Sequence, residues 1–375
     1  MTLIAHMADI HLGNRQYGLV EREGDVYEAF EESVEKIIQE HASIVVLAGD
    51  IFDAVRPPVK ALMHAKRLFK KLSERGVRIF YVLGDHDRPK RLDELPPTRL
   101  FDELEHVGYR NVELEVGSQR IIVTGLDRIP ASLMEEGLQD LKARVSDSSM
   151  RPGKRILVAH LPLDWGAEKI LDYLPAGYSY IALGHEHRRL VFKRRGTLAA
   201  YAGSLEILSR SEVEDWVKEG KGFYMVDISG EEAEIQRVDV DSVRPQRVAT
   251  ASLDELSATL EELRRWASRL SKKPIIHLSI FGKGVDAGRV ARLLDQELRD
   301  VALYYRFDVR EEVEERVVDA PSVDIPSLLR EYLISKGLSK EDADFAVEIY
   351  EAFRTGGEAG VEEVVMKRAS KVREE

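Results

Sequence analysis

The segment IVVLAGDIFD, at residues 44–53, indicates the fold of this chain. It opens with five consecutive apolar residues, and a run of that length is typical of a buried β-strand. Gly49 ends the run, and the acidic residue Asp50 follows it directly. The segment therefore predicts a strand whose carboxyl end carries an ionisable side chain.

Similar apolar runs, bounded by Gly, Asp or Pro, alternate with helical patterns through the first two-thirds of the chain, which predicts a layered α/β domain. Besides Ile44–Ala48, the predicted strands are Leu3–Met7, Arg78–Leu83, Ile121–Thr124, Ile156–Ala159, Tyr180–Leu183 and Gly222–Asp227. The predicted helices of this part are Val26–His41, Val59–Arg75 and Thr98–Val107.

Metal-ligand residue types follow five of these strands. In chain order they are Asp9-Ile10-His11, Gly49-Asp50, Gly84-Asp85-His86-Asp87, His160 and Gly184-His185-Glu186-His187. In an open α/β sheet, sites assemble at the carboxyl ends of strands. Alternate residues of an extended segment point to one face, so both ends of Asp-x-His and His-x-His can reach one metal cluster. Each motif alone is weak, since an isolated histidine is usually packed or solvated, but the five together indicate a metal site.

Composition narrows the chemistry of that site. The chain has no cysteine, which excludes disulfides, thiolate metal sites and cysteine nucleophiles, so a metal must be held by oxygen and imidazole nitrogen. The net charge of −12 argues mildly against a protein that coats nucleic acid, but metal ions can neutralise phosphates locally. No apolar run is long enough to span a membrane, and the first residues do not resemble a signal peptide. A cytoplasmic protein is expected.

The motifs resemble those of the calcineurin-like metallophosphoesterases, whose blocks are D-x-H, G-D, G-N-H-[DE], H and G-H-x-H. Within that group the chain is most similar to the meiotic-recombination-eleven nuclease family of archaeal type, whose bacterial relatives are the SbcD proteins. The closer resemblance rests on MADIHLG at 7–13, AGDIFD at 48–53, GDHDR at 84–88, ALGHEH at 182–187 and YAGSLE at 201–206. It implies a layered sandwich of sheets flanked by helices, with a small α/β capping domain and a helical C-terminal tail.

The resemblance implies two divalent metal ions, with Mn(II) expected from ligands that lack sulfur. One ion would be held by Asp9, His11, Asp50 and His187. The other would be held by Asp50, Asp85, His160 and His185, so that Asp50 bridges. Two ions about 4 Å apart can activate a water and stabilise the oxygens of an in-line displacement. His86 would lie outside the ligand shell and protonate the leaving oxygen or stabilise the phosphorane charge, oriented by a nearby carboxylate.

Two positions depart from the family pattern. Asp85 stands where the block usually has asparagine, and the extra carboxylate is expected to tighten cation binding and to lower the Lewis acidity of the ions. Asp53 stands where close relatives often have histidine, which weakens an exonuclease assignment more than a phosphodiesterase one.

The domain prediction has three parts, a nuclease domain at 1–241, a capping domain at 242–320, and a linker with partner-binding helices at 321–375. The capping domain is predicted from a helix–strand–helix–strand pattern, with elements at Leu253–Leu270, Pro274–Phe281, Asp286–Arg299 and Leu303–Val309. The tail is predicted to contain helices at Ser327–Lys336, Lys340–Arg354 and Gly360–Val372, the last two separated by Thr355-Gly356-Gly357.

The resemblance also implies partners. DNA, as ends, duplex or single strands, would be contacted by Asn14, Arg15, Arg56, Arg88, Lys90 and Arg91, although these residues could equally be ordinary solvated side chains. A homodimer would form through a helical bundle that includes Leu62, Leu100, Phe101 and Leu104, unless these residues pack on their own sheet.

The tail would bind an ABC-type, SMC-like ATPase partner. The apolar residues available for this contact are Val347, Ile349, Tyr350, Phe353, Val361, Val364 and Val365. The alternative is a tail that folds back on its own domain.

The expected function is that of a two-metal DNA nuclease subunit, acting as exonuclease, endonuclease or both in double-strand-break repair, in the cytoplasm with the nucleoid. The alternatives are a general metallophosphoesterase, such as a cyclic-nucleotide phosphodiesterase or a phosphoprotein phosphatase, and a DNA-end scaffold with weak catalysis.

Overall fold

The computed structural model describes residues 2–91, 93–145, 152–163, 177–194, 196–282, 285–310 and 325–372. The chain divides into two compact units, Met1–Glu311 and Glu312–Glu375. The further boundary at 241, between a nuclease domain and a capping domain, stays a prediction.

In the described residues of the first unit the strands are β1 (Leu3–Met7), β2 (Ile44–Ala48), β3 (Arg78–Val82), β4 (Leu104–His106), β5 (Asn111–Val116), β6 (Gln119–Leu126), β7 (Lys154–His160), β8 (Tyr180–Gly184), β9 (Leu190–Arg194), β10 (Thr197–Tyr201), β11 (Gly222–Asp227), β12 (Glu234–Asp239), β13 (Gln246–Ser252), β14 (Ile275–Phe281) and β15 (Tyr304–Arg310). Its helices are α1 (Val20–Gln39), α2 (Val59–Ser73), α3 (Met134–Val145), α4 (Val213–Glu219), α5 (Leu256–Ala267) and α6 (Ala287–Leu298). Short 3-10 turns lie at Gln16–Gly18, Pro97–Leu100, Ala131–Leu133 and Arg210–Glu212.

Two six-stranded sheets form the larger part of this unit. The first has the order β12-β11-β1-β2-β3-β4, and the second has the order β5-β6-β7-β8-β10-β9. Strands β1 to β4 run parallel, as do β6, β7, β8 and β10. Parallel strands need cover on both faces, which explains their continuous apolar runs.

The sheets pack face to face, with helices on the outside. Fully buried Ile4 and Val46 of the first sheet share one apolar cluster with Val158 and Ala182 of the second. The outer face of the first sheet is covered by α1 and α2, and the outer face of the second by α3. The layered α/β sandwich expected from the sequence is confirmed.

The predicted helix Thr98–Val107 is wrong. A 3-10 turn that begins at Pro97 is followed by the short strand β4, which pairs in parallel with β3. The apolar residues of this stretch fit a helical spacing. The N–H and C=O groups of the backbone instead form their hydrogen bonds with the open edge of β3. Phe101 is 5% exposed, and its ring stacks on that of Phe52 with centroids 5.8 Å apart. Phe101 therefore belongs to the core, and the half-buried Leu104 packs against the same core.

The third sheet has the order β13-β14-β15, and all three strands run parallel. Helices α5 and α6 cover it through Leu260, Leu263, Leu294 and Leu298. The predicted helix–strand–helix–strand pattern is present, but the sequence analysis missed β13. That strand, QRVATAS, contains four polar residues and has no apolar run.

The second unit contains α7 (Ile325–Ser335) and α8 (Lys340–Val372). The helical assignment runs from Lys340 to Val372 without an interruption at the predicted break, residues 355–357, but the segment is not one straight helix. In a straight helix, residues 345 and 368 would be about 35 Å apart. The Arg368 guanidinium nevertheless lies 4.3 Å from the centre of the Phe345 ring, so the helical segment reverses direction between them.

Within the described part of the chain, no helix is both long and apolar enough to cross a bilayer.

Candidate metal centre

The segments that follow β1, β2, β3, β7 and β8 meet at one end of the two-sheet sandwich. The first two continue to pair beyond the strands, because the N–H of Asp9 donates to Gly49 O at 3.1 Å and the N–H of His11 donates to Asp50 O at 2.9 Å. The N–H of His185, from the second sheet, donates to both carboxylate oxygens of Asp9 at 3.1 Å. The two sheets are thus joined by hydrogen bonds among the predicted ligands.

Backbone strain is concentrated at these residues. Asp9, His11 and Asp50 have φ values of 49°, 51° and 49°, and His185 has a φ of 102°. L-residues rarely adopt such angles, and each costs of order 1–3 kcal/mol. Strain of this kind persists where the surrounding structure fixes side chains for a function.

Glycines permit the close approach of the segments. At Gly49, with φ +89°, an added Cβ would lie 2.3 Å from His160 Nδ1. At Gly84 it would lie 2.1 Å from Asp50 Oδ1. Any larger residue at either position would push a candidate ligand aside.

The first group of candidate ligands consists of Asp9, His11 and His187, whose ligand atoms lie within 4.8 Å of one another. Asp50 Oδ2 is 3.8 Å from His11 Nε2. All four residues predicted for the first ion are therefore close together.

The second group consists of Asp85, His160 and His185. Asp85 Oδ2 is 3.0 Å from His185 Nδ1 and 3.5 Å from His160 Nε2. Asp50 Oδ2 lies 3.4 Å from the same His160 nitrogen. Asp50 therefore stands between the two groups, where a bridging ligand is required.

The donor atoms fit metal ions. His11 Nε2 and His160 Nε2 are buried, and neither has a hydrogen-bond partner among the described residues. A buried polar atom without a partner is costly, and a cation at the centre would satisfy both. Oxygen and imidazole donors of this kind suit divalent ions.

The opposite nitrogens of these rings are held by hydrogen bonds, which fix the tautomers. His160 Nδ1 lies 2.8 Å from Ala48 O, and His11 Nδ1 lies 3.1 Å from Asp53 Oδ1. Asp53 thus positions a ligand, and it accepts a further hydrogen bond from Asn14 Nδ2 at 2.9 Å. The side-chain amide of Asn14, a residue predicted to contact DNA, therefore donates to Asp53 in the structure.

His187 is held by a residue that the sequence analysis missed. Its Nδ1 lies 3.0 Å from Glu212 Oε1, and Glu212 in turn accepts hydrogen bonds from Lys221 Nζ and Ser204 Oγ. Glu212 is 25 residues from His187 along the chain and belongs to no motif, so no local signal identified it.

His86 lies beside the centre, exposed to solvent. Its Nδ1 is 2.7 Å from the backbone carbonyl oxygen of Asp53, and its ring centre is 4.7 Å from that of His11. The expected orienting carboxylate is replaced by this carbonyl. With Nδ1 donating, Nε2 is the nitrogen that can exchange protons with a bound substrate.

The centre stabilises positive charge. Burial alone would raise the pKa of Asp85, but the neighbouring side chains of His160, His185 and Arg128 hold it far below its ordinary value. Burial alone would lower the pKa of His160, but Asp50 and Asp85 raise it well above its ordinary value. Both shifts show that cations are favoured here.

Five of the predicted DNA-contacting residues have exposed side chains, namely Arg15, Arg56, Arg88, Lys90 and Arg91. Arg15 pairs with Glu23, and Arg56 Nη2 lies 2.5 Å from Glu94 Oε1. Arg88 Nη1 donates to the carbonyl oxygen of Arg128 at 2.9 Å.

Residues 2–189 match the family model described as calcineurin-like phosphoesterase. The chain is 33% identical over 365 residues to the DNA double-strand break repair protein Mre11 of Sulfurisphaera tokodaii, covering 93% of this chain and 92% of that protein. It is 32% identical to the protein of the same name from Methanocaldococcus jannaschii, covering 93% and 94%. For that from Saccharolobus solfataricus the identity is 32%, covering 94% and 91%.

Proposed function

This chain belongs to the calcineurin-like phosphoesterase family and, within it, to the Mre11 DNA double-strand break repair proteins, and we propose that its metal centre cuts the phosphodiester backbone of DNA near broken ends. It is a metal-dependent hydrolase with a nuclease role in break repair. The observation that carries the proposal is the pair of ligand groups that share Asp50, with two buried imidazole nitrogens lacking partners.

The proposed ligands are those predicted from the sequence. Asp9, His11, Asp50 and His187 would hold one ion, and Asp50, Asp85, His160 and His185 the other. Bound ions of this kind, with Mn(II) proposed, supply an activated water and stabilise charge on the phosphate oxygens.

The side chains of the protein supply the rest of the mechanism. Asp53, Ala48 and Glu212 fix three imidazole rings, so that the ligand nitrogens are in place before substrate arrives. With Nδ1 donating to Asp53 O, Nε2 of His86 faces away from this bond, and the doubly protonated ring can give its Nε2 proton to the leaving oxygen. Because His86 is exposed, it can meet a phosphodiester that approaches from solvent.

DNA is proposed to approach over the exposed basic loops that follow the motifs, through Arg15, Arg56, Arg88, Lys90 and Arg91. Such contacts position a phosphate backbone without reading its sequence. Association with the chromosome in the cytoplasm follows from this proposal.

A homodimer is proposed through an apolar groove beside α2. The groove is lined by residues that include Val55, Pro57, Leu62, Leu95, Pro96, Pro97 and Leu100. Leu95 is 76% exposed and Leu100 is 65% exposed, and Val59 and Met63 of α2, which are close in sequence to the groove residues Pro57 and Leu62, are also exposed. Exposed apolar residues grouped in this way are typical of protein interfaces. We expect Leu100→Asp to convert a dimer to a monomer in light scattering, while Leu133→Asp, at a half-exposed leucine outside the groove, leaves it dimeric.

An ATPase partner of ABC type is proposed for the helical tail. Leu328, Tyr332, Ile334, Leu338 and Val365 expose 40–58% of their surface. Val347, predicted as a contact, is instead buried within its unit, and the side chain of Phe353 lies outside the described residues. Anchors spaced along an amphipathic helix suit a helix-in-groove contact.

The decisive experiment is cleavage of end-labelled duplex and hairpin DNA with manganese, magnesium or a chelator, beside a small phosphodiester. We expect manganese-dependent cutting of DNA by the wild type and none by Asp50→Asn. Hydrolysis of the small ester without DNA cutting would favour a general phosphodiesterase. Loss of neither activity in Asp50→Asn would refute the metal centre.

A further inference from the structure

Arg128 contacts the candidate ligand Asp85, although no motif assigns Arg128 a role. Its Nε donates to both carboxylate oxygens at 2.9 Å. The Arg128 side chain is 18% exposed and that of Asp85 is 40% exposed, so the pair lies in the wall of the centre. The contact joins residues 43 apart in the chain.

The position of Arg128 is fixed against the end of β3, the strand that leads into Asp85. The N–H of Arg128 donates to Leu83 O at 2.8 Å, and the N–H of Leu83 donates to Asp127 Oδ1 at 2.8 Å. The Arg128 guanidinium also donates to the carbonyl oxygen of Ile129. Arg128 is therefore preorganised by the backbone that carries its partner.

The consequence concerns charge. The proposed ligands include three carboxylates, Asp9, Asp50 and Asp85, and four histidines. With a carboxylate at Asp85, the net charge of a two-ion centre is one unit lower than it would be with a neutral amide at that position. A less positive centre binds cations more tightly but stabilises developing phosphate charge less. A guanidinium remains charged at any working pH, so Arg128 returns that unit of charge.

We propose that Arg128 is a positioning residue that balances the charge of Asp85, so that Asp85 orients an ion without lowering the positive charge available to the phosphate. The inference rests on the proposed metal centre. It predicts that the two residues act as a pair, and that either substitution alone disturbs metal affinity in the opposite direction to the other.

The test is a double-mutant cycle on the full chain, stripped of metal and titrated with Mn(II) by calorimetry and electron paramagnetic resonance. We expect Arg128→Met to bind the weaker ion about tenfold more tightly and Asp85→Asn to bind it about tenfold more weakly. The double variant should return to within about threefold of the wild type. Turnover of a small phosphodiester should fall in Arg128→Met and recover in part in the double variant.

Two further variants separate charge from shape. Arg128→Lys keeps the charge and should retain wild-type metal affinity. Arg110→Met removes an exposed guanidinium that pairs with Glu105 rather than with a candidate ligand, and should also leave metal affinity unchanged. Melting temperatures by circular dichroism check that every variant is folded.

Several results would overturn the inference. Weaker metal binding in Arg128→Met, or a double variant that binds Mn(II) as weakly as Asp85→Asn does, would assign Arg128 a purely orienting role. Unchanged metal affinity with weaker DNA binding would make it a substrate contact. A wild type that binds no Mn(II) would overturn the proposed function itself, whereas a wild type that binds two ions with no response at Arg128 would overturn only this inference.

Discussion

At the scale of single residues, four histidines of the centre differ in the group that holds their Nδ1 atom. They are His11, His86, His160 and His187. Asp53 faces Nδ1 of His11 through its carboxylate and Nδ1 of His86 through its backbone carbonyl. The same residue therefore positions a candidate ligand and the candidate proton donor. A substitution at Asp53 would disturb both His11 and His86. The ligand role and the proton-donor role are therefore tested separately, at a histidine or at a residue that supports only one of the rings.

The first prediction concerns His86. We expect His86→Gln to lower DNA cleavage at least about a hundredfold, because glutamine cannot transfer a proton, while metal and DNA binding stay near wild type. Single-turnover cleavage, Mn(II) titration and a DNA-binding assay measure the three properties. An equal loss of metal binding would show that His86 is a ligand instead.

The second prediction concerns Glu212. Removing the negative charge that holds His187 should weaken Mn(II) binding about 10–100-fold in Glu212→Gln. Glu214→Gln, an exposed change two residues further along, is the matched control. Equal Mn(II) affinities in calorimetry for the two variants would refute a supporting role for Glu212.

At the scale of elements, α1 is tied to the segment that leads from β12 to β13. Glu32 of α1 accepts hydrogen bonds from the N–H groups of Asp241 and Ser242 at 2.8 and 2.9 Å. It also pairs with Lys36 at 2.8 Å. Burial alone would raise the pKa of Glu32, but Lys36 and the donors from Ser242 and Asp241 lower it to about 2.

The third prediction follows from this pKa. A carboxylate whose folded pKa lies below the ordinary 4.5 stabilises the fold above pH 4.5, and that contribution is lost as the pH falls toward about 2. At pH 7 we expect Glu32→Gln to lower the free energy of unfolding by about 1 kcal/mol, a modest value because solvent screens this partly exposed group.

Urea unfolding of both proteins between pH 7 and pH 2 measures the effect. The difference between wild type and Glu32→Gln should shrink below pH 4.5, whereas Glu40→Gln, exposed at the end of the same helix, should differ little from wild type at pH 7. A difference that grows as the pH falls would contradict the assignment.

At the scale of the molecule, a buried polar network joins the two-sheet sandwich to the third sheet within the first unit. Asp25 accepts from Arg22 at 2.6 Å and from two nitrogens of Arg244 at 2.6 and 2.8 Å. Glu206, the last residue of the 201–206 motif, accepts from Arg22 at 3.1 Å. Glu206 also accepts from the N–H of Arg244 at 3.1 Å, so this motif residue ties α1 to the segment that leads into β13, and it belongs to none of the candidate ligand groups.

The fourth prediction concerns the tail. Because 312–375 forms its own compact unit, a chain that ends at Ile325 should keep its intrinsic phosphodiesterase activity and lose the proposed ATPase contact. Activity on a small phosphodiester and co-purification with the ATPase subunit test this. In the full chain, Tyr332→Asp should reproduce the loss of co-purification, and a truncated chain that still co-purifies would refute the assignment.

The sequence by itself determined the strands that end in candidate ligands and the ligand types that follow them. These features are local, since a buried strand shows as an apolar run and the residue after it is adjacent in the chain. Asp9, His11, Asp50, Asp85, His160, His185 and His187 were found in this way, and the structure brings all seven together.

Only the tertiary structure decided which distant residues support those ligands. Glu212 reaches His187 and Arg128 reaches Asp85 from segments 25 and 43 residues away, and no periodicity encodes such an approach. The same cause explains β4, since the apolar spacing of residues 98–107 fits a helix until an open sheet edge is available to pair with it. Contacts between distant segments, with the hydrogen bonds that they complete, fixed these features.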